Sequence, residues 1–228
     1  MHSFRTWCHS VIIPKQKPLE EILKITEGAD HLLVVGCDGC SGIYQVGGEK
    51  QAETLATLIR MARELKGQPV DVRHTIVLRQ CDGQLVATTL RPQVKESDTL
   101  LSLACGVGPQ TLIDVFPEKR VLTAVNTFGM GGKNRELGHF FEYCKGCGDC
   151  LLNETGGICP MTRCAKALVN GPCGGMLDGK CEVGGYDKDC AWYLIYERLK
   201  ALGRLDLYTK YRPPRDWRVA QSPRRLEL

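Results

Sequence analysis

Up to Asn126, short unbroken apolar runs alternate with segments whose apolar positions recur every three to four residues. The run "HLLVVGC" (31–37) suits a strand buried on both faces. From Glu49 to Lys66 the apolar positions are Ala52, Leu55, Ala56, Leu58, Ile59 and Ala62, a helical spacing that Gly67 and Pro69 end. "VRHTIVL" (72–78) is a second strand, and "DGQLVATTLRP" (82–92) after it reads as a helix rather than a hairpin. "TLLSLAC" (99–105) is a third strand, "PQTLIDVF" (109–116) a short helix with proline in its first turn, and "VLTAVN" (121–126) a fourth strand. Near the start, "SVIIP" (10–14) adds a strand and "PLEEILKIT" (18–26) a helix opened by proline. Strands alternating with helices predict an α/β fold, a parallel sheet of flavodoxin or Rossmann type with helices on both faces.

The pattern changes after Asn126. "FGMGGKN" (128–134) reads as a glycine-rich linker, so two domains are expected: an α/β domain over 1–132 and a cysteine-rich domain over 133–228. Between 144 and 190 almost no apolar periodicity survives, and such a segment buries too little to fold without a bound group. "DCAWYLIYERLKALGRL" (189–205) is a terminal amphipathic helix. The basic tail "YRPPRDWRVAQSPRR" (211–225) reads as a partner-docking segment, with a solvated end as the alternative.

Composition narrows the function classes. Hydrophobic residues at 43%, charged residues at 25% and a net charge of +4 describe a globular protein with no footprint for nucleic acid. No apolar run is long enough for a membrane span, and the N-terminus lacks the pattern of a secretory signal, so a cytoplasmic protein is expected. Thirteen cysteines in such a setting, an odd number, argue against a disulfide framework and for metal or redox chemistry.

Eight of the thirteen lie between Cys144 and Cys190. Cys144, Cys147 and Cys150 form C-x2-C-x2-C, the opening of the bacterial ferredoxin run, in which short glycine-bearing spacers wrap the backbone around a cubane. Cys159 is followed by proline, as in that run but at longer spacing; Cys164, Cys173, Cys181 and Cys190 follow. Eight thiolates satisfy two 4Fe–4S clusters. The sequence guess joins Cys190 to the triplet and groups Cys159, Cys164, Cys173 and Cys181. Zinc at one or more four-thiolate sites is the alternative, although the middle cysteine of a triplet suits a tetrahedral ion poorly.

In the first domain Cys37 and Cys40 follow the first strand, Cys81 follows the second and Cys105 ends the third. Parallel strands gather all four at the carboxyl edge, where open α/β sheets bind ligands, and a third cluster is expected there. The alternative makes Cys81 and Cys105 ordinary core residues. Cys8 is left without a partner. "GVGPQ" lacks the spacing of a dinucleotide fingerprint, and His2, His9, His31, His74 and His139 show no metal-binding pairing. No catalytic constellation and no site for flavin, nicotinamide or folate is legible.

The stretches "LVVGCDGCSGIYQVGGEK", "SLACGVGPQT", "CKGCGDCLLNETGGICPMTRCAKALVNGPCGG" and "DCAWYLIYERL" resemble the small V subunit of two-subunit bacterial methylenetetrahydrofolate reductases, from about Val34 to "RPPRDW". The resemblance implies a flavin-bearing TIM-barrel partner that reduces methylenetetrahydrofolate, a larger electron-donating complex and an anaerobic one-carbon setting. It also implies that this chain is an electron-transfer subunit of an oxidoreductase, not catalytic by itself, with its role on the twelve cysteines from Cys37 to Cys190. A non-redox zinc scaffold that positions the flavoprotein is the alternative.

Overall fold

The computed structural model describes residues 7–8, 11–134 and 139–223. His2, His9, Ser10 and the last basic residues of the tail, Arg224 and Arg225, lie outside them. The chain divides into two compact units, Met1–Phe141 and Glu142–Leu228.

The first unit is built on a four-stranded parallel sheet in the order β4-β3-β5-β6. Its strands are β3 (His31–Cys37), β4 (Asp71–Val77), β5 (Thr99–Ser102) and β6 (Arg120–Thr123). The alternation of β3 sorts its side chains between two cores. Leu32 and Val34 pack with Ala52, Leu55, Ala56 and Ile59 of α3 (Glu49–Leu65). Leu33 and Val35 pack with Val86, Leu90 and Val94 of α4 (Gly83–Val94) and Leu112 of α5 (Val107–Val115). Chain direction along the sheet reverses after β4, so α3 covers one face while α4 and α5 cover the other. The reversal leaves a crevice between the carboxyl ends of β3 and β5.

Local chemistry explains the helices that periodicity alone left open. Asp82 caps α4, its Oδ1 accepting from the backbone N–H groups of Gln84 (2.9 Å) and Leu85 (3.1 Å), which favours a helix over a hairpin. In α3 the buried stripe ends on Arg63, while Leu58 is 40% exposed. Arg63 donates to the carbonyl of Thr26 at 2.7 Å and to Gln68 Oε1 at 3.2 Å, tying α3 to the end of α1 (Leu19–Ile25). Pro18 sits at the cap of α1 rather than inside it.

Two expectations are corrected. "VLTAVN" is not one strand: Thr123 ends β6, and β7 (Val125–Asn134) starts a second, antiparallel sheet after Ala124. "FGMGGKN" is therefore strand, not linker. It pairs with β2 (Ile12–Gln16), Ile12 opposite Met130 and Gln16 opposite Val125, with the register shifting between Ile13 and Pro14. The residues β1 (Trp7–Cys8) and β8 (Phe140–Cys144) also pair with β7. Cross-strand hydrogen bonds hold these glycines extended, where their own propensity does not. The fold is thus mixed α/β, one parallel and one antiparallel sheet, rather than a parallel sheet alone.

The second unit carries two short helices, α6 (Pro160–Arg163) and α7 (Ala191–Ala201), joined by turns. Its apolar centre is small: Trp192, Ile195 and Leu199 of α7, with Ile158, Cys164, Leu168, Cys190, Leu207 and Tyr208 packed around them. Among the described residues no helix is long and apolar enough to cross a membrane.

Gly47 sits in a tight approach, where an added Cβ would lie 2.0 Å from the Leu103 carbonyl oxygen. Gly83, at the first turn of α4, has its nearest neighbour at 3.7 Å. Gly47→Ala is expected to cost about 1–3 kcal/mol, and Gly83→Ala to be neutral or to stabilise by up to about 1 kcal/mol. Urea denaturation of the two variants beside the parent checks the contrast; equal midpoints would contradict it.

Candidate metal centres

The parallel sheet brings its four cysteines together. Cys37 is the last residue of β3, Cys40 opens α2 (Cys40–Ile43), Cys81 lies beyond β4 and Cys105 beyond β5. All four line one cavity of about 440 Å³ at the carboxyl edge. Cys37 is buried at 7% exposure, Cys40 and Cys105 are half-buried, and Cys81 is exposed.

The loops that carry them are fixed from below by Gln80, which is wholly buried. Its Nε2 donates to the carbonyls of Val35 and Gly36, each at 2.8 Å, and its Oε1 accepts from Ser102 Oγ at 2.7 Å. One side chain beyond β4 thereby bridges β3 and β5 where they part. Gly108 completes the floor, since a Cβ there would come 2.4 Å from Ala104 and 3.0 Å from Gln80. Cys37 donates its backbone N–H to Gly47 at 2.7 Å, which closes the loop between β3 and α3.

The cavity wall bears on what it can hold. Burial pushes the Cys37 thiol up; backbone N–H groups of Gln80 and Gly39 pull it down, and the neighbouring Cys105 and Cys81 push it up again. Ser41, fully buried on the same wall, has a hydroxyl without a hydrogen-bond partner. Four sulfurs bound to one zinc ion at about 2.3 Å would stand about 3.8 Å apart. Among the described residues no three His, Cys, Asp or Glu side chains gather in that way. The four thiols line one cavity, a donor set that would suit an ion or a group with several atoms across it. The orphaned Ser41 hydroxyl and the inward N–H groups suit sulfur acceptors.

In the second unit, Gly146 and Gly148 adopt left-handed backbone (φ 61° and 77°) between the cysteines of the triplet. These turns let Cys144, Cys147 and Cys150 share one loop. The Gly146 N–H points at Cys144 Sγ, 3.3 Å away. Thr162 Oγ1 donates to the Tyr143 carbonyl (3.3 Å) and reaches that of Cys159 (3.5 Å), which sets Cys159 beside the start of the triplet. Cys190, the cap of α7, instead packs with Cys164 in the apolar centre. Cys181 donates its N–H to Lys188, and Cys173 Sγ meets Glu182 Oε1 at 3.6 Å. Thr162 thus ties the Cys159 backbone to that of Tyr143, just before the triplet, whereas Cys190 lies in the apolar centre. Helix geometry decides this: Cys159 caps α6 one turn before Thr162, a relation that spacing alone does not reveal.

The tail is tied back onto its own unit, which its reading as a partner-docking segment or a solvated end does not foresee. Arg212 pairs with Asp149 and Glu154, and Arg215 donates to the carbonyls of Cys147 (3.0 Å) and Asp149 (2.9 Å). A Cβ on Gly148 would lie 3.2 Å from the Val219 carbonyl. The tail straps the triplet loop. The hydrogen bond from Arg212 holds the Asp149 carboxyl below its usual range. Sequence reasoning missed Gln80, Ser41 and Arg215; alternating arginines and acids in "CGDC" and "RPPRDW" were the available signal for the strap.

These two units define an α/β protein whose sheet edge and C-terminal module each present thiols in groups. Residues 122–218 match the family described as "Methylene-tetrahydrofolate reductase C terminal". The match covers the triplet, the later cysteines and most of the strap, and leaves Cys37, Cys40, Cys81 and Cys105 outside. No curated protein and no solved structure matches the chain.

Thiol exposure in the metal-free protein gives a direct test of the sheet-edge site. Cys81 is expected to alkylate first and Cys37 last, by at least about tenfold in rate, because burial limits both access and thiolate. Mass mapping after timed labelling reads the order, and early labelling of Cys37 would contradict the described wall.

Proposed function

We propose that this chain is the iron–sulfur electron-transfer subunit of a methylenetetrahydrofolate reductase, passing electrons to a flavin-bearing partner. The observation that carries the reading is the cavity at the sheet edge lined by Cys37, Cys40, Cys81 and Cys105. The family of residues 122–218 supports the reductase context. A 4Fe–4S cluster, when bound, supplies one-electron transfer at low potential.

The chain's own residues divide the work. Cys37, Cys40, Cys81 and Cys105 are the ligands at the sheet edge; Gln80 holds their loops, and Ser41 donates a hydrogen bond toward sulfur. In the second unit Cys144, Cys147, Cys150 and Cys159 form one ligand set, and Cys164, Cys173, Cys181 and Cys190 the other. The exposed thiols Cys81, Cys144, Cys150 and Cys173 mark where each site meets the surface. Folate chemistry belongs to the partner, which the resemblance describes as a flavin-bearing barrel.

Protein prepared without oxygen is expected to hold about twelve irons and as many sulfides, four of each per four-thiolate cluster. Cys81→Ser is expected to lower both by about four and leave the remainder. In the reconstituted pair, a low-potential donor is expected to reduce the flavin only when this chain is present. Stoichiometric zinc without sulfide, or flavin reduction that is equally fast without the chain, would replace this reading with the scaffold.

A further inference from the structure

The strap carries a buried cation whose hydrogen-bonding capacity and charge are only partly met by its neighbours. The Arg215 side chain is 2% exposed, and its Nε and Nη1 have no hydrogen-bond partner. The Trp217 ring lies 5.2 Å from the guanidinium, and Nη2 is spent on the Cys147 and Asp149 carbonyls. The carboxylate of Asp149 stands 3.9 Å from Nε, beyond hydrogen-bond reach, and is already bonded to Arg212. Glu154 is shared between Arg212 and Lys210, the latter at 3.6 Å. Arg218 is mostly exposed and pairs with Asp216. The network therefore sets Lys210, Arg212 and Arg215 against Asp149 and Glu154. One positive charge is in excess, and Arg215, the most buried of these cations, shares Asp149 with Arg212 and makes no hydrogen bond to it. A buried guanidinium, a permanent cation, is costly without an anion close by.

We propose that Arg215 is the counter-charge of the cluster on the Cys144–Cys147–Cys150 loop, and that it raises the reduction potential of that cluster. The inference rests on the iron–sulfur reading given above. A cubane held by four thiolates is an anion in both redox states and gains one negative charge when it accepts an electron. A fixed positive charge beside it therefore favours the reduced state. Arg215 is a positioning residue as well, because Nη2 pins the two carbonyls that flank Gly148. The strap thus links closure of the tail to the electronic state of the cluster.

The full chain, prepared without oxygen, is titrated with reductant while the electron paramagnetic resonance signal of each cluster is followed. Iron and sulfide are counted in every sample. Arg215→Gln keeps an amide that can reach the carbonyls but removes the charge; Arg215→Lys keeps the charge. The Gln variant is expected to hold the parent's iron while one cluster's reduction equilibrium falls about tenfold, about 59 mV for one electron, the others unmoved. The Lys variant is expected to match the parent. Unchanged equilibria in the Gln variant overturn the proposal. An equal fall in the Lys variant overturns it too, since geometry and not charge would then be acting. If the Gln variant loses iron, the Lys variant decides: full iron at the parent's equilibrium upholds the counter-charge, and the same loss overturns it. A parent without iron overturns the functional reading itself, before any variant is compared.

Discussion

The candidate site at the sheet edge depends on one buried amide. At the point where strand order reverses, β3 and β5 part beyond their last ladder pair, Val35 opposite Ser102. Gln80 fills that gap, donating to Val35 and Gly36 and accepting from Ser102. Val35 also receives the Leu103 N–H at 2.9 Å, so the strands stay joined beyond their last ladder pair. Because Gln80 directly precedes Cys81, the residue that satisfies the crevice also sets the height of one thiol, and through Ser102 it steadies the turn to Cys105. Leaving such buried groups unpaired would cost about 1–3 kcal/mol each, so hydrogen-bond satisfaction and ligand geometry are one constraint here.

The second unit solves a different problem. Among its described residues the buried apolar side chains include Leu151, Met161, Ala191, Trp192, Ile195 and Leu199. Left-handed turns at Gly146, Gly148, Gly156 and Gly157 and at the later glycines each cost backbone entropy. A centre built around α7 offsets little of that cost. The strap from Arg212 to Val219 adds ion pairs that are partly exposed and worth little singly. If its thiols bind clusters as proposed, a unit made in this way would take much of its order from them, as small metallo-domains do.

The sequence made the parallel sheet and its helices legible because their signals are local: apolar runs for β3 and β5, helical spacing for α3, an aspartate cap for α4. The convergence of Cys37, Cys40, Cys81 and Cys105 was legible for a topological reason, since parallel strands put every carboxyl end on one edge. What stayed hidden depends on partners far away in sequence. "FGMGGKN" is strand only because β2 lies beside it. Arg63 is buried only because Thr26 and Gln68 receive its guanidinium. The proximity of Cys159 to the triplet passes through the hydroxyl of Thr162. The tail looks free in sequence because its partners, Asp149 and Glu154, lie some sixty residues upstream.

The two groups of thiols therefore stand in opposite relations to folding. At the sheet edge the scaffold comes first: two apolar cores, Gln80 and the close approaches at Gly47 and Gly108 define a cavity whether or not the thiols are engaged. A ligand there meets a preorganised site, and the cost of ordering its donors has already been met by the sheet. In the second unit the donors lie on turns with little to hold them, so ordering cost falls on the binding event and weakens it by that amount. Arg215 reduces this imbalance. It pins the loop through the Cys147 and Asp149 carbonyls, and under the proposal its charge would also lower the penalty for assembling the triplet site. The same charge disfavours the loop when it is empty. On the proposed reading, a single arginine would make the packing of the strap and the loading of the triplet mutually dependent, which the site in the sheet would not require.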